Sequence, residues 1–415
     1  MGIVITILLS MPFYERLPYY IWSTIGDPVT SSASYSYYIF IQFFFVFLLI
    51  ITPTIFMGMT LPIASRLSVT EVKNTGKVVG KVFAINTLGT VLGSLAAGLL
   101  LIPFIGIKNT LQFAVLLNLI LALIVLLTKK LVSQKMKIAV LSILGISILI
   151  YFGNTRQDSW AYSIMLSDVP RKINRIKPPD SYADFYGLAE DHDKIHYYKE
   201  GVNRTIVVAQ NNKEIYLFTN GKGDANSVSD LSTQISLGLT PIILHPSPDS
   251  VFVIGYGAGT TIGHVMLHSR VKYGEVAEIS GEVIDASKYF NDINGEPLRN
   301  KNLRVIRDDG LSALLVSPRK YDVIISQPSN PWSAGMGSLF TQEFFRTCKD
   351  KLHEGGYVAQ WFNLYEMDDK SLKLILRTVL SEFKHVTLWH ISHSDILILC
   401  SENELNRDLK QIEQN

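Results

Sequence analysis

Cysteine is scarce in this chain: Cys348 and Cys400 are the only two among 415 residues. Neither belongs to a CxxC pair, which excludes a disulfide framework and a thiolate zinc site. His245, His264 and His268 have no carboxylate or second ligand at metal spacing, so they read as structural and no metal is expected. Charge is nearly balanced at +2. There is no Lys/Arg run and no interleaving of arginine with aromatics, so no nucleic-acid partner is expected. The apolar stretch Gly2 to Leu9 has neither a basic start nor a small-residue cleavage site, which argues against a cleavable signal peptide. It reads as the clipped end of a membrane span, with the N-terminus incomplete.

Long hydrophobic runs, by contrast, are concentrated in the first third. Tyr38 to Phe56 is nearly all aromatic or aliphatic, with Gln42 as its one strongly polar side chain, and is long enough to cross a hydrocarbon core of roughly 30 Å. Val82 to Ile107 is a second span. Its Gly89, Gly93 and Ala97 stand four apart, a spacing that lets another helix approach closely. Leu111 to Leu127 is a third, and Ile138 to Phe152 a short fourth. Basic residues cluster at Arg66, Lys73, Lys77 and Lys81, and again at Lys129, Lys130, Lys135 and Lys137. Both clusters can lie on the cytoplasmic side, with Lys108 opposite. If the fourth segment crosses, everything after it lies outside; if it is re-entrant or interfacial, the soluble part stays inside. The sequence leaves that side open. A multi-pass protein is expected, with the lipid bilayer as a partner and a bacterial inner membrane as its location.

Polarity rises after Asn154. A connector with Pro170, Pro178 and Pro179 carries Trp160, Ile164 and Met165, which are expected to rest on the membrane or on the next domain. From Ile195 the pattern turns to strands: Thr205 to Val208 and Ile215 to Thr219 flank Asn211-Asn212, and Asn220-Gly221 signals a further tight turn. Asp230 is placed to cap a helix running to Leu239. Short strands then alternate with helices: strands at Val251–Ile254, Val276–Ile279, Leu303–Ile306, Asp322–Ile325 and Tyr357–Phe362, helices at Thr260–Leu267, Glu282–Phe290 and Thr341–Leu352. That alternation predicts an α/β fold with a parallel sheet covered on both faces. The expected organisation is a transmembrane helical region over 1–153, a connector over 154–194, a small β-subdomain over 195–228, a nucleoside-binding domain over 229–403, and a polar tail over 404–415.

The first strand runs into Gly255-Tyr-Gly257-Ala-Gly259 and then a helix. Such a turn brings backbone close to a ligand and aims a helix N-terminus at it. Glu278 ends the second strand, about twenty residues on, where a carboxylate can take both ribose hydroxyls. Asp309-Gly310 follows the third strand, where an acidic side chain can accept from an adenine amino group. A dinucleotide enzyme competes with this reading, although the glycine spacing after Thr260 suits it imperfectly.

The motifs then become specific. Phe218-Thr-Asn-Gly-Lys-Gly-Asp224, Gln234, Leu244-His-Pro246, Val253-Ile-Gly255, Glu278-Ile279, Asp308-Asp-Gly310, Tyr321-Asp-Val-Ile-Ile-Ser326, Pro328-Ser-Asn-Pro-Trp332 and Ser338-Leu-Phe-Thr341 stand in the order of the spermidine synthase family. The chain resembles the membrane-fused bacterial branch of that family in particular. Met57-Gly-Met-Thr-Leu-Pro62, Asn86-Thr-Leu-Gly89 and Leu101-Ile-Pro103 extend the likeness into the apolar half. The resemblance implies a Rossmann-like sheet of the S-adenosylmethionine-dependent methyltransferase type. It implies aminopropyl transfer from decarboxylated S-adenosylmethionine, as co-substrate rather than bound cofactor, to a small-molecule amine such as putrescine. Carried over by position, Glu278 binds ribose, Asp309 and Gly310 the adenine side, and Gln234 the cofactor tail, with Gly255, Gly257 and Gly259 forming the turn.

Three positions depart from the pattern. Ala258 stands where soluble relatives carry the carboxylate that grips the donor amine. Gln327 stands at the catalytic carboxylate, and Asn330 replaces a second aspartate. An amide cannot take a proton, so Asp224, in the facing β-subdomain, is the remaining candidate base beside Gln327. Asn330, Tyr365 and Glu366 are expected to line the amine site. Two other readings stay open: a methyltransferase using S-adenosylmethionine itself, and a catalytically weak nucleoside- or polyamine-binding membrane protein. The sequence is compatible with a homo-oligomer and does not specify one.

Overall fold

The structure, a computed structural model, describes residues 2–26, 32–128, 177–190 and 194–405, apart from 332, 334, 366 and 393, with a few isolated positions between 138 and 172. The chain divides into two compact units. One holds Met1–Asp191 with two short returns, Lys199–Thr205 and Asn220–Lys222; the other holds the remainder.

In the first unit, α1 (Gly2–Ile25) is longer than the apolar stretch at its start. Glu15, Arg16, Pro12 and Pro18 interrupt the hydrophobic run without ending the helix. Helix α2 (Ser32–Ser68) contains the first expected span. Helix α3 (Thr75–Leu95) passes through a π-helical segment (Ala96–Leu101) into α4 (Ile102–Thr128). The helix breaks at Gly106, whose φ of 83° and ψ of 166° lie outside the helical region. Glycine adopts such a positive φ without the Cβ clash other residues meet. The second and third expected spans fall on either side of that break. Val4, Ile7 and Leu8 of α1 pack with Val115 and Leu119 of α4, and Trp22 packs with Phe185 of α5 (Tyr182–Glu190). Two stretches, Ser34–Ser68 and Val72–Val125, are long and apolar enough to cross a membrane. Nearly all of the fourth expected span lies outside the described residues, as do Lys129, Lys130, Lys135 and Lys137 and the connector residues Trp160, Ile164 and Met165.

The polar half opens with four strands, β1 (Lys194–Glu200), β2 (Thr205–Gln210), β3 (Ile215–Thr219) and β4 (Lys222–Asn226), in that order across one sheet. The β2–β3 loop is tied by the Asn211 side-chain Oδ1, which accepts from the Lys213 and Glu214 N–H groups at 3.0 and 2.8 Å. Between β3 and β4, Asn220 and Gly221 both take positive φ, 50° and 82°. Two such residues in sequence make a turn whose twist matches the flanking strands.

A seven-stranded sheet follows, built from β5 (Ser250–Ile254), β6 (Tyr273–Ala277), β7 (Leu303–Ile306), β8 (Tyr321–Ser326), β9 (Leu352–Asn363), β10 (His385–Ser392) and β11 (Asp395–Ser401). Its order is β10-β11-β9-β8-β5-β6-β7. The five strands from β5 to β9 are parallel, as expected. Two further strands extend the sheet beyond the expected five: β11 runs antiparallel to β9, and β10 antiparallel to β11. The loop from Ser392 to Asp395 is too short for a crossover, so β10 and β11 must form a hairpin.

Side chains alternate across the strands and fill two cores. Phe252, Ile254, Ile324, Val358, Phe362 and Ile398 face α9 (Gly310–Val316), α10 (Gln342–Asp350) and α11 (Asp369–Glu382). Val251, Val253, Val323, Ile325, Ala359 and Leu397 face α6 (Leu231–Leu244) and α7 (Thr260–Leu267). Each fully buried aliphatic or Phe side chain stabilises the fold by about 1.5–3 kcal/mol. The helix α8 (Gly281–Ala286) follows β6. Asp230 precedes α6 as expected, but its side chain makes no capping bond. At the amino ends of the strands Glu275 is buried, yet it accepts from the Tyr273 and Tyr321 hydroxyls, each at 2.6 Å. Every site residue named below lies towards the other end of the sheet.

Candidate active site

The turn from β5 into α7 is built by backbone geometry. Gly255 has φ 90°, and a Cβ there would stand 2.5 Å from the Gln327 carbonyl oxygen. Only glycine lets the loop after β8 approach this closely, and the Gln327 N–H donates to the Ile254 carbonyl at 2.9 Å. Gly257, with φ 53°, has open space where its Cβ would project. The turn is therefore closed against protein at Gly255 and open at Gly257. Tyr256 between them is buried, and burial pushes its phenol pKa up to about 12.

Glu278 lies one residue beyond β6 and is 8% exposed. Its carboxylate accepts from the Tyr256 N–H and from the Ser280 N–H, each at 3.0 Å. The expected ribose ligand is thus also the group that ties the glycine turn to the next strand. Asp309, half-buried, caps α9 by accepting from the Ser312 N–H at 2.9 Å. Gly310 packs directly on Ile254, so no side chain fits there. Gln234 is buried in α6, and its backbone carbonyl accepts from the Thr261 hydroxyl at 3.0 Å, which brings α6 against the first turn of α7.

The loop after β8 carries the second group. Asp224 of β4 accepts from the Ser329 hydroxyl at 3.2 Å, which brings the candidate base against the Pro328–Pro331 segment. Asn330 is fully buried and donates through Nδ2 to the Tyr365 hydroxyl at 3.0 Å. Asn363 donates through Nδ2 to the Tyr365 carbonyl. Glu366 and Trp332 lie outside the described residues.

Three participants escaped the sequence reading: Ser326, Gln360 and Asn363, all fully buried. Ser326 and Gln360 are register partners on β8 and β9. Ser326 closes the apolar run of β8, a signal in the sequence, whereas Gln360 lies inside β9 and reads as an ordinary polar strand residue. Among the described residues, Ser326 Oγ, Gln327 Oε1, Asn330 Oδ1, Gln360 Oε1 and Asn363 Oδ1 are buried without a hydrogen-bond partner. Buried polar atoms almost always have partners. These five oxygens lie on β8 and β9 or in the loop just after β8, towards the carboxyl ends of two adjacent parallel strands. Open parallel sheets bind ligands at that end.

Comparison with known proteins bears on this half. Residues 233–391 match the spermine/spermidine synthase domain family. A polyamine aminopropyltransferase of Buchnera aphidicola is 36% identical over 122 residues, covering 29% of this chain and 42% of that protein. One of Thermotoga petrophila is 30% identical over 138 residues, covering 31% of this chain and 47% of its own. The chain thus spans less than half the length of these relatives. A polyamine aminopropyltransferase of Leptospira interrogans is 24% identical over 315 residues, covering 74% of this chain and 58% of that protein. That stretch is longer than the polar half, so it reaches into the apolar one. Among solved structures, a spermidine synthase bound to the transition-state analogue AdoDATO aligns at 23% identity with a TM-score of 0.48, covering 51% of this chain and 75% of that one.

Proposed function

We propose, from the premise that residues 233–391 belong to the spermine/spermidine synthase family, that the chain is a membrane-anchored transferase. It would move an aminopropyl-type group from an adenosyl sulfonium to a polyamine acceptor such as putrescine. The donor is decarboxylated S-adenosylmethionine, as in the family, or its carboxylated parent. The observation that carries the reading is the set of buried amide oxygens of Gln327, Asn330, Gln360 and Asn363 that lack a partner among the described residues, with Asp224 tied to the same loop through Ser329. An ammonium offers three donors and no acceptor, which is what such a set lacks.

In this reading the nucleoside lies over Gly257, with Glu278 on the ribose and Asp309 and Gly310 on the adenine side. Gln234 supports the tail, and Gln327, Asn330 and Tyr365 orient the amine. The nitrogen displaces methylthioadenosine at the carbon next to the sulfonium. Holding nucleophile and sulfonium in line is an orientation effect. The proton from nitrogen passes to a carboxylate, for which Asp224 is the candidate because Gln327 cannot accept it. Loss of a positioned base typically costs roughly 10²–10⁴-fold in rate, so slow turnover is expected unless Asp224 serves.

Two variants test this. Gln327→Glu raises aminopropyl transfer to putrescine when the site is otherwise intact, and Asp224→Asn abolishes residual activity when that carboxylate is the base. If neither changes the rate while the wild type methylates an acceptor, the methyltransferase reading replaces this one. Membrane anchoring is proposed on the exposed apolar surface of α2, where Phe40, Phe43, Phe44 and Phe47 face outward. Contiguous surface of that kind is rare on soluble monomers.

A further inference from the structure

We infer that the adenosyl ligand of this site keeps its α-carboxylate, and that the turn Gly257–Thr261 at the start of α7 receives it. The inference rests on the nucleoside reading above and concerns only the ligand's tail.

Three independent observations meet at this turn. The first is space: a Cβ at Gly257 would meet nothing within 4 Å, whereas Gly255 and Gly259 are both crowded by protein. The second is an unsatisfied hydroxyl. Thr260, the first residue of the eight-residue helix α7, is fully buried, and its Oγ1 has no partner among the described residues. The first N–H groups of a helix also lack intrahelical acceptors, and the helix dipole places positive potential there. The third is the absence of negative charge. Gly255 to His268 contains no Asp or Glu. The Ala258 methyl is packed in an apolar cluster with Val283, Ala286 and Phe290, and its carbonyl already accepts from Asn294 Nδ2 at 2.9 Å.

These features sort two donor chemistries. A decarboxylated tail ends in an ammonium alone, which needs a carboxylate from the protein. A carboxylated tail is a zwitterion whose ammonium is balanced within the ligand, and what it needs is donors for its oxygens. The turn supplies a hydroxyl and helix N–H groups without intrahelical acceptors and carries no acidic residue of its own, and the carboxylate that reaches its start, Glu278, is engaged by the Tyr256 and Ser280 N–H groups.

The test is calorimetric titration of the full chain in detergent with S-adenosylmethionine, decarboxylated S-adenosylmethionine and methylthioadenosine, which has no amino-acid tail. The expected result is that S-adenosylmethionine binds at least about tenfold tighter than the decarboxylated compound. Thr260→Val keeps the shape of the side chain and removes the hydroxyl. It should weaken S-adenosylmethionine by about tenfold, the loss of one hydrogen bond to a charged group, and leave methylthioadenosine unchanged. Equal or tighter binding of the decarboxylated compound overturns the inference. So does a Thr260→Val variant that leaves S-adenosylmethionine unaffected, or one that weakens methylthioadenosine equally, which would give Thr260 a structural role. If wild type binds none of the three, the nucleoside reading itself falls.

Discussion

Replacing Glu278 by alanine perturbs two things at once, and the structure separates them. In the free protein the carboxylate accepts from the N–H groups of Tyr256 and Ser280, both at 3.0 Å, in a place only 8% exposed. Removing it strands two buried donors, each costing about 1–3 kcal/mol. A stability loss of about 2–4 kcal/mol is expected, since a cavity this close to the surface lets water reach one of the two. A carboxylate can accept about four hydrogen bonds, so in the proposed reading ribose hydroxyls share this group with the backbone donors. Losing charge-assisted bonds to the ligand weakens binding by a further 1–3 kcal/mol or so, roughly 5- to 150-fold. Denaturant unfolding of wild type and Glu278→Ala measures the first effect. Calorimetric titration with methylthioadenosine, at a temperature where both proteins are folded, measures the second. A variant that is destabilised yet binds methylthioadenosine as tightly as wild type would leave Glu278 a structural tie only, and the assignment of this crevice to a nucleoside would be wrong.

Gly255→Ala should destabilise by at least about 2 kcal/mol, because the new Cβ meets the Gln327 carbonyl at 2.5 Å from a backbone at φ 90°; chemical denaturation checks it, and a neutral effect would mean the loop after β8 moves away freely. His245 is buried against Tyr357, and burial lowers its pKa. The stability it contributes is therefore complete above the unfolded value of about 6.5 and is lost as pH falls below that, so wild type should lose more stability than His245→Gln between pH 7.5 and 5.5. For topology, Lys108→Cys and Lys130→Cys should label from opposite sides of the membrane. Cys348 and Cys400 are fully buried, with pKa values raised by burial, and give little background. Labelling of both positions from one side would refute the hairpin.

Much of this architecture is readable from local pattern. The strands β5, β7 and β8 are short apolar runs between turn residues, and α7 begins immediately after three glycines at alternate positions; these signals depend only on neighbours in sequence. The hairpin β10–β11 and helix α11 were not read. His385–Ser392 mixes histidine and threonine into its apolar positions, and edge strands have one unpaired side, so their sequences are less constrained. Glu278 and the glycine turn were legible because their spacing reflects one βαβ unit. The contact of Asp224 with Ser329 joins residues 105 apart. The motif order of a family could place the two together, but nothing in their local sequence could. The orphaned oxygens of Gln360 and Asn363 were illegible for a further reason: an amide in a strand reads as an ordinary polar residue until its surroundings show that nothing donates to it.

The orphans also bear on what state of the protein is complete. The amide assignments are constrained: Gln360 Nε2 donates to the Trp361 carbonyl at 3.0 Å, Asn330 Nδ2 to the Tyr365 hydroxyl, and Asn363 Nδ2 to the Tyr365 carbonyl. Flipping any of them exchanges a made bond for an unmade one. An acceptor left bare in the interior costs about 1–3 kcal/mol; Ser326 differs from the amides, since its hydroxyl can also donate. Water relieves part of that cost, and a cationic ligand relieves more, because its donors are charged. Neutral acceptors also hold an ammonium without the desolvation cost that buried carboxylates carry. In the proposed reading, amides at Gln327 and Asn330 in place of carboxylates favour binding and orientation over proton transfer. Among the described residues, Asp224 is the carboxylate that accepts from the Pro328–Pro331 loop, through the Ser329 hydroxyl, and it is the candidate base of the proposed reaction.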